Sequence, residues 1–537
     1  MLTGRSSLAA RIFDGLGAAG VDTVFGLPGV HNLAFWREQV PGRPRIVGVR
    51  HEQATVYAAD GLARATGGLG VAMVTTGPGA ANAVGAFGEA AASRSPVLLI
   101  ATEIPSALSR AGVVRGVLHE SHDQAAMFAP LAKAVFTPRT PEAASRDVAE
   151  AIRLATTSPR GPVYLDVPTD LLAREAPALH PTASPEPVGP DVEELVAEVT
   201  ASERIVIWAG GGVVEAGAQA ELGELATRLG APVVTSWAGR GVLPPEHPWL
   251  VGAPPHEPAV AALIAEADLL LAVGSRFDAT TTRNWSMPMS ARLAVVNIDG
   301  RALDVNYRPD VAVEGDARAV CAELLARVPA RCPANPVPGI RQIVRNGLAG
   351  ESRNAEPLRL LAAVEAAIGP ETVVLADMAL PGYWWIGYGT VHGSRRVQYP
   401  MGWGTLGYAV PAAIGAATAR PALVLCGDGG LAMGLGELAT YVQEKLPITL
   451  LVVDDGGYGM LRYDQLRAGD EHRGVDLHNP DWALLGAAFG IPTTVLDGVD
   501  ERLAPALRDA IASRRPQLVV VRARFIPPRT TSPRWAD

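Results

Sequence analysis

Short apolar runs recur along the chain, and each is followed by an alanine-rich helical stretch. That alternation is the pattern of parallel α/β layers. The runs predict strands at Val71–Thr75, Val97–Ala101, Val163–Val167, Ile205–Ala209, Val233–Thr235, Leu269–Val273 and Leu293–Ile298. Further strands are predicted at Val373–Ala376, Leu423–Cys426, Ile448–Val453 and Leu518–Val521. Two stretches, Ala176–Pro190 (APALHPTASPEPVGP) and Pro329–Pro338 (PARCPANPVP), are rich in proline and carry no apolar periodicity. They read as linkers. They divide the chain into blocks 1–175, 191–330 and 355–537, each expected to be an α/β domain, and no short-period repeat is present.

A length of 537 residues suits about three domains of ordinary size. With 48% apolar and 19% charged residues the chain can bury large cores and does not read as disordered. The net charge of -9 argues against a nucleic-acid surface, which needs a concentrated basic face. Nearly all the basic residues are arginine, with lysine only at Lys133 and Lys445. Cys321, Cys332 and Cys426 show neither metal-ligand spacing nor a disulfide framework. The opening MLTGRSSLAARIFDGL does not read as a signal peptide, and no apolar run is long enough to span a membrane. A cytoplasmic protein acting on small molecules, with neither a nucleic-acid nor a membrane partner, is the expectation.

The first block carries Gly26-Leu27-Pro28-Gly29, Val49-Arg50-His51-Glu52 and Thr75-Thr76-Gly77-Pro78-Gly79. Glycines at these points let the backbone turn sharply and let a ligand lie close against it. Taken singly, these are also what ordinary strand-to-helix turns look like, and Glu52 alone is what a solvated helix-start carboxylate looks like. The third block is more specific. Cys426-Gly427-Asp428-Gly429-Gly430 is followed by a helical stretch and then Val452-Val453-Asp454-Asp455-Gly456-Gly457-Tyr458-Gly459. Two strand ends thus deliver carboxylates 27 positions apart (455 − 428). Hard oxygen ligands of that kind suit Mg²⁺, which completes its shell with phosphate and water. The flanking glycines, Gly427, Gly429 and Gly430, would expose backbone N–H groups to a diphosphate at a helix start.

Together these residues resemble the thiamine-diphosphate-dependent decarboxylase and acetolactate synthase superfamily over nearly the whole chain. The resemblance implies three doubly wound parallel-sheet α/β domains: pyrimidine-binding, central and diphosphate-binding. It places Asp428 and Asp455 as side-chain ligands of Mg²⁺ and Gly457 as a backbone-carbonyl ligand, with Gly77 and Tyr458 at the cofactor. The family's asparagine pair is replaced by Asp454-Asp455, which adds negative charge near a diphosphate. Glu52 takes the place of the cofactor-activating glutamate. Its carboxylate would hydrogen-bond the aminopyrimidine N1′ and favour the imino tautomer that removes the thiazolium C2 proton. An apolar surround would raise its pKa and help it share that proton. In Gly402-Trp403-Gly404-Thr405-Leu406-Gly407-Tyr408, Leu406 corresponds to the bulky residue under the bent cofactor, and Gly404 would offer its carbonyl to the 4′-amino group. Some relatives bind FAD in the central block. Here Phe277-Asp278 is followed by Ala279-Thr280-Thr281 without the arginine that acetolactate synthases place there, and FAD is not expected.

Several positions depart from acetolactate synthase. His119-Glu120 stands where that enzyme has Phe-Gln, Thr169 replaces an active-site lysine, and Asp464 falls near its substrate-selecting tryptophan. The turn Gly26-Leu27-x-Gly29-x-His31 and the segment Asp123–Pro130 with Lys133 are similar to benzaldehyde lyase, a carboligase of the same superfamily. That likeness turns His31 toward the substrate and puts His119 in place of an active-site glutamine. His31, His119 and His122 are therefore candidate proton carriers beside Glu52; a solvated loop pair is the alternative for His119 and His122. The expected activity is a decarboxylase or carboligase for a 2-oxo acid or 2-hydroxy ketone, working through a C2-bound enamine. Acetolactate synthase proper and a non-catalytic thiamine-diphosphate-binding homologue are the alternatives. In this superfamily two subunits hold the two ends of one cofactor, so the resemblance implies a homodimer at minimum and a homotetramer as the expected assembly.

Overall fold

The structure, a computed structural model, describes residues 6–110, 112–180 and 189–528. Its first block holds β1 (Ser6–Ser7), β2 (Thr23–Gly26), β3 (Arg45–Gly48), β4 (Gly70–Val74), β5 (Val97–Glu103), β6 (Ala134–Phe136), β7 (Val163–Pro168) and β8 (Glu175–Ala176). The second holds β9 (Ile205–Ala209), β10 (Val233–Thr235), β11 (Leu269–Val273), β12 (Arg292–Asn297) and β13 (Val311–Glu314). The third holds β14 (Val373–Ala376), β15 (Val397–Gln398), β16 (Ala422–Gly427), β17 (Ile448–Asp454), β18 (Thr493–Asp497) and β19 (Gln517–Arg522). They form three parallel sheets, ordered β3-β2-β4-β5-β7-β6, β10-β9-β11-β12-β13 and β15-β14-β16-β17-β19-β18. A small antiparallel ladder, β1 with β8, pairs Ser6 with Ala176.

Each sheet is covered on both faces, which is why its inner strands are continuous apolar runs. Along β4, Val71 and Met73 enter one core while Ala72 and Val74 enter the other. The same alternation puts Leu269 and Leu271 of β11 on one face with Leu270 and Ala272 on the opposite one. All the predicted strands are present, within a residue or two at their ends. Besides the β1–β8 ladder, six strands of the parallel sheets, β2, β3, β6, β13, β15 and β18, were not expected, and all but β2 lie at sheet edges. Edge strands are short and half-covered, so their apolar signal is thin. In β13 only Val311 and Val313 are buried, and in β18 only Leu496. In the predicted linker Ala176–Pro190, residues 181–188 lie outside the described residues. The second linker is irregular until Val337, where a helix begins and packs Val337, Ile340 and Val344 against the second sheet. Among the described residues no helix is long and apolar enough to cross a membrane.

Two helices join the first sheet to the third. One, Glu52–Thr66, starts at His51, whose ring accepts from the Gln53 N–H at 3.3 Å, and ends at Gly67 in the left-handed region (φ +80°). The other is Ala409–Ala419. They cross at backbone contact: a Cβ on Gly61 would overlap the Ala412 carbonyl, and one on Gly415 would overlap the Ala58 carbonyl. Beside the crossing, Arg64 donates to Asp60, to Glu89 (2.9 Å), to Ser93 Oγ (2.7 Å) and to the Tyr399 carbonyl (3.0 Å). Asp60 and Glu89 are fully buried. Burial pushes the Glu89 carboxyl up, and Arg64 opposes that shift.

Gly415→Ala should therefore destabilise the protein by about 3 kcal/mol, the upper end of overpacking costs. Gly347→Ala, in a helix where an added Cβ meets nothing within 4 Å, is the control. Thermal unfolding should show a large loss for the first variant and none, or a slight gain, for the second.

Candidate active site

Strands β16 and β17 are parallel neighbours, with Gly427 opposite Val453, so their carboxyl ends set Asp428 and the Asp454-Asp455 pair side by side. Ligands commonly gather at that end of an open parallel sheet. Asp428 starts the helix Asp428–Gly434 and is 2% exposed. Burial raises its carboxyl, and the charge on Asp454 adds to the rise. Asp455 is pushed up to about 6, first by burial and then by Asp428, against the pull of Arg462. Its Oδ1 is buried and accepts no hydrogen bond, and Arg462 lies 3.8 Å away. The two aspartates of the pair thus differ. Asp454 is satisfied by Trp482 Nε1 at 2.6 Å, Asn479 Nδ2 at 2.7 Å and the Gly456 N–H at 3.1 Å. Asn479 also donates to Asp428 Oδ2 at 2.5 Å, so one amide, 51 residues from Asp428, bridges the Asp428 and Asp454 carboxylates.

The glycines of this segment are not equivalent. A Cβ on Gly429 would lie 2.6 Å from the Tyr458 ring, and one on Gly430 would lie 2.6 Å from Asp377 Oδ2. Gly427 would take a Cβ at ordinary contact distance, 3.5 Å from Ala379. Close packing therefore requires glycine at 429 and 430, besides any exposure of their N–H groups. Gly457 bridges to Asp476, and the Tyr458 N–H donates to the Val475 carbonyl at 2.8 Å. Among the described residues no three or more His, Cys, Asp or Glu side chains are placed to hold a metal ion by themselves. A metal here would draw on two carboxylates, a backbone carbonyl and outside oxygens, the ligand set that suits Mg²⁺.

Gly404, in the left-handed region at φ +76°, turns the chain so that Leu406 is left 39% exposed beside exposed Trp403 and Met433. The Gly407 N–H donates to both oxygens of Asp377 at 3.1 Å. Asp377 is fully buried, its pKa raised to about 6 by burial, and it touches Gly430. It couples the Gly404–Leu406 turn to the glycines after Asp428.

The remaining candidates gather at the first sheet. Half-buried Glu52 accepts from Asn82 Nδ2 at 3.0 Å through Oε2. Asn82 belongs to the helix Pro78–Ala92, which begins after Gly77. A Cβ on Gly77 would lie 2.5 Å from the His119 carbonyl. The His31 and His119 rings meet edge to face with centroids 5.2 Å apart, and the Nδ1 of each is buried without a hydrogen bond. Burial, and then the neighbouring His119, lowers the His31 pKa, which favours a neutral ring. Thr169 Oγ1 donates to the His31 carbonyl at 2.5 Å, so this residue anchors the histidine turn. His122 is exposed.

Within one chain Glu52 and the Gly402–Trp403 turn lie toward opposite ends of the Pro78 helix. Glu52 sits at Asn82, near the start of the Pro78 helix, whereas Gly402 and Trp403 pack near its end, against Ala92 and Gly88. The Trp403 N–H reaches Glu89 at 3.3 Å. From residue 82 to 89 the helix rises about 10 Å. A cavity of about 760 Å³, lined by Arg94, Gly212, Trp237, Arg276, Asn297 and Trp403 among others, includes none of the predicted catalytic or metal-binding residues.

Asn82, Gln124, Asn479 and Trp482 join the site without having been expected. Each acts through a contact made only in the folded chain; of the four, only Gln124 lies in a segment singled out in the sequence, Asp123–Pro130.

Thiamine pyrophosphate enzyme domains match in succession: the N-terminal TPP binding domain at residues 6–127, the central domain at 192–324 and the C-terminal TPP binding domain at 380–521. A protein named as a probable 2-ketoarginine decarboxylase from Pseudomonas aeruginosa is 37% identical over 500 residues, 90% of this chain and 88% of that protein. A probable acetolactate synthase large subunit of Methanocaldococcus jannaschii is 30% identical over 545 residues, 95% of this chain and 91% of its own. The acetolactate synthase of Mycobacterium bovis is 31% identical over 523 residues, 90% of this chain and 82% of its own. With these domains in order and such likeness along nearly its whole length, the chain belongs to the thiamine pyrophosphate enzyme family.

Proposed function

We propose that the protein is a thiamine-diphosphate- and Mg²⁺-dependent decarboxylase or carboligase acting on a 2-oxo acid or 2-hydroxy ketone. The observation that carries this reading is the buried Asp455 Oδ1, which accepts no hydrogen bond although the charge of buried Asp428 bears on it. Two such carboxylates held together need a cation. Asp428, Asp455 and the Gly457 carbonyl would hold Mg²⁺, and the N–H groups at Gly429 and Gly430 would face the diphosphate. When bound, thiamine diphosphate supplies a carbon that adds to a carbonyl and accommodates the electron pair of the broken carbon–carbon bond.

The chain's own groups would do the rest. Glu52, steadied by Asn82, would share a proton with the pyrimidine ring. Leu406 would hold the cofactor bent, and the Gly404 carbonyl would accept from its amino group. His31 and His119 would hold or move protons at the substrate oxygen, with His31 entering neutral. The separation of Glu52 from Gly404 in one chain supports a homodimer in which each site takes Glu52 from one subunit and Asp428 from the other. A homotetramer of two such dimers belongs to the same proposal.

The 2-ketoarginine decarboxylase relative adds a 2-oxo acid with a guanidinium tail to the donor candidates. The second reading, acetolactate synthase, is favoured by relatives of that name. Thr169 bound to the His31 carbonyl and Asp464 near the tryptophan position weigh against it.

Incubation with thiamine diphosphate, Mg²⁺ and a panel of 2-oxo acids and aldehydes should release CO₂ or give a ligated hydroxy ketone. Acetolactate as the main product from pyruvate would favour the second reading, and cofactor binding with no turnover of any panel member would favour a non-catalytic homologue. Glu52→Gln should lower kcat by about 100-fold or more while cofactor affinity changes by less than about tenfold; unchanged kcat would contradict the assignment. Because the Asp455 carboxyl titrates near 6, protons compete with Mg²⁺ below that value. Mg²⁺ affinity, read by titration calorimetry, should rise with pH up to about 6 and flatten above it.

A further inference from the structure

We propose that Gln124 is a positioning residue for the Glu52 end of the site, clamping the turn that launches the Pro78 helix. The inference rests on the reading of Glu52 given under Proposed function.

Gln124 is 1% exposed. Its Nε2 lies 3.0 Å from the Thr102 carbonyl, 3.0 Å from Tyr164 Oη and 2.9 Å from Asp166 Oδ1. Three oxygens on that side fix the amide's orientation, since a flip would set oxygen against oxygen. The other end, Oε1, then accepts the Gly77 N–H at 2.5 Å. Gly77 is in the left-handed region (φ +63°) and has no room for a side chain, because the His119 carbonyl would meet its Cβ at 2.5 Å. One amide therefore fixes the turn on which the His119 loop rests.

The same turn sets the helix that follows. Gly79 is close enough that a Cβ there would lie 3.4 Å from Glu52 Oε1, and one turn later Asn82 donates to Glu52 Oε2. A continuous path thus runs from Asp166 through Gln124, Gly77 and Asn82 to Glu52. Losing the clamp would let the helix start and the His119 loop move independently, and misplacement of about 1 Å is costly at a reacting centre.

Asp166 and Glu103 form the floor beneath Gln124, on adjacent strands β7 and β5. Burial, together with the negative charge of Glu103, raises the Asp166 carboxyl well above its usual range, and burial raises Glu103 as well; Arg139 opposes both shifts. Asp166 Oδ1, 2.9 Å from Gln124 Nε2, is the acceptor that this floor offers to the amide. Tyr164, Arg139 and Asp123 are the other titratable groups facing it. Gln124 touches neither the metal ligands nor the rings of His31 and His119, so its influence passes only through position.

The test compares wild type with Gln124→Leu and Gln124→Glu. In the cofactor-free protein, hydrogen exchange should quicken about tenfold or more in peptides spanning 75–82 and 115–122 of Gln124→Leu, while 428–434 stays unchanged. In the loaded enzyme, exchange of the thiamine C2 proton should slow about tenfold, with cofactor affinity within about threefold of wild type. Gln124→Glu should recover much of that rate at acid pH, where a protonated carboxyl mimics the amide, and lose it as the pH rises. Unchanged backbone protection, or wild-type C2 exchange in Gln124→Leu, would overturn the proposal. If Gln124→Leu does not fold, a Gln124→Glu whose C2 exchange follows the wild-type pH profile would overturn it. A wild type that exchanges C2 no faster than cofactor in water would instead refute the functional reading, and the backbone exchange would still judge the clamp.

Discussion

The rest of the structure depends on one contact, the crossing of helices Glu52–Thr66 and Ala409–Ala419 where Gly61 and Gly415 let two backbones touch. One apolar core continues through that crossing, from Ala72 and Leu99 on the first sheet to Val424 and Val452 on the third. Arg64 adds a buried ionic clasp at its edge, holding Asp60, Glu89 and the Tyr399 carbonyl together. The first sheet, which carries Glu52, is thereby set rigidly against the third, which carries Asp428. In that arrangement Glu52 lies near the start of the Pro78 helix and Trp403 near its end, and Leu406, Trp403 and Met433 are left as exposed apolar side chains.

Charge is arranged with equal economy. Three carboxylates converge after β16 and β17, which would be unfavourable if all three were left alone. Asn479, Trp482 and the Gly456 N–H satisfy Asp454, and Asn479 also reaches Asp428. Asp455 keeps an oxygen without a hydrogen-bond partner. The replacement of an asparagine pair by two aspartates is thus absorbed at one position by local donors. At the other end Glu52 faces a neutral amide, Asn82, which orients the carboxylate without neutralising it.

Much of this was legible in the sequence because it follows from local pattern. Strands buried on both faces must be apolar throughout, so β4, β11 and β17 announced themselves. Asp428 and Asp455 stood out because two strand ends 27 positions apart each carry a carboxylate framed by glycines. What escaped was set by tertiary contact. Edge strands such as β13 and β18 bury too little to show a run. Gln124 lies in the Asp123–Pro130 segment, but its contact with Gly77, 47 positions away, exists only in the fold. Thr169 read as a lost lysine, whereas the fold gives its hydroxyl to the His31 carbonyl. The glycines at 429 and 430 were noticed as phosphate-facing, but Tyr458 and Asp377 are what exclude any side chain there.

The central claim is that one working site is assembled from Glu52 of one subunit and Asp428 of another. Co-expression of Glu52→Gln chains with Asp428→Asn chains tests it most directly, because each variant alone lacks one half of every site. If the halves are shared between subunits, random association should restore about a quarter of wild-type activity, since that fraction of sites receives both intact halves. Activity no higher than that of either variant alone would contradict the account and place both residues in a site within a single chain.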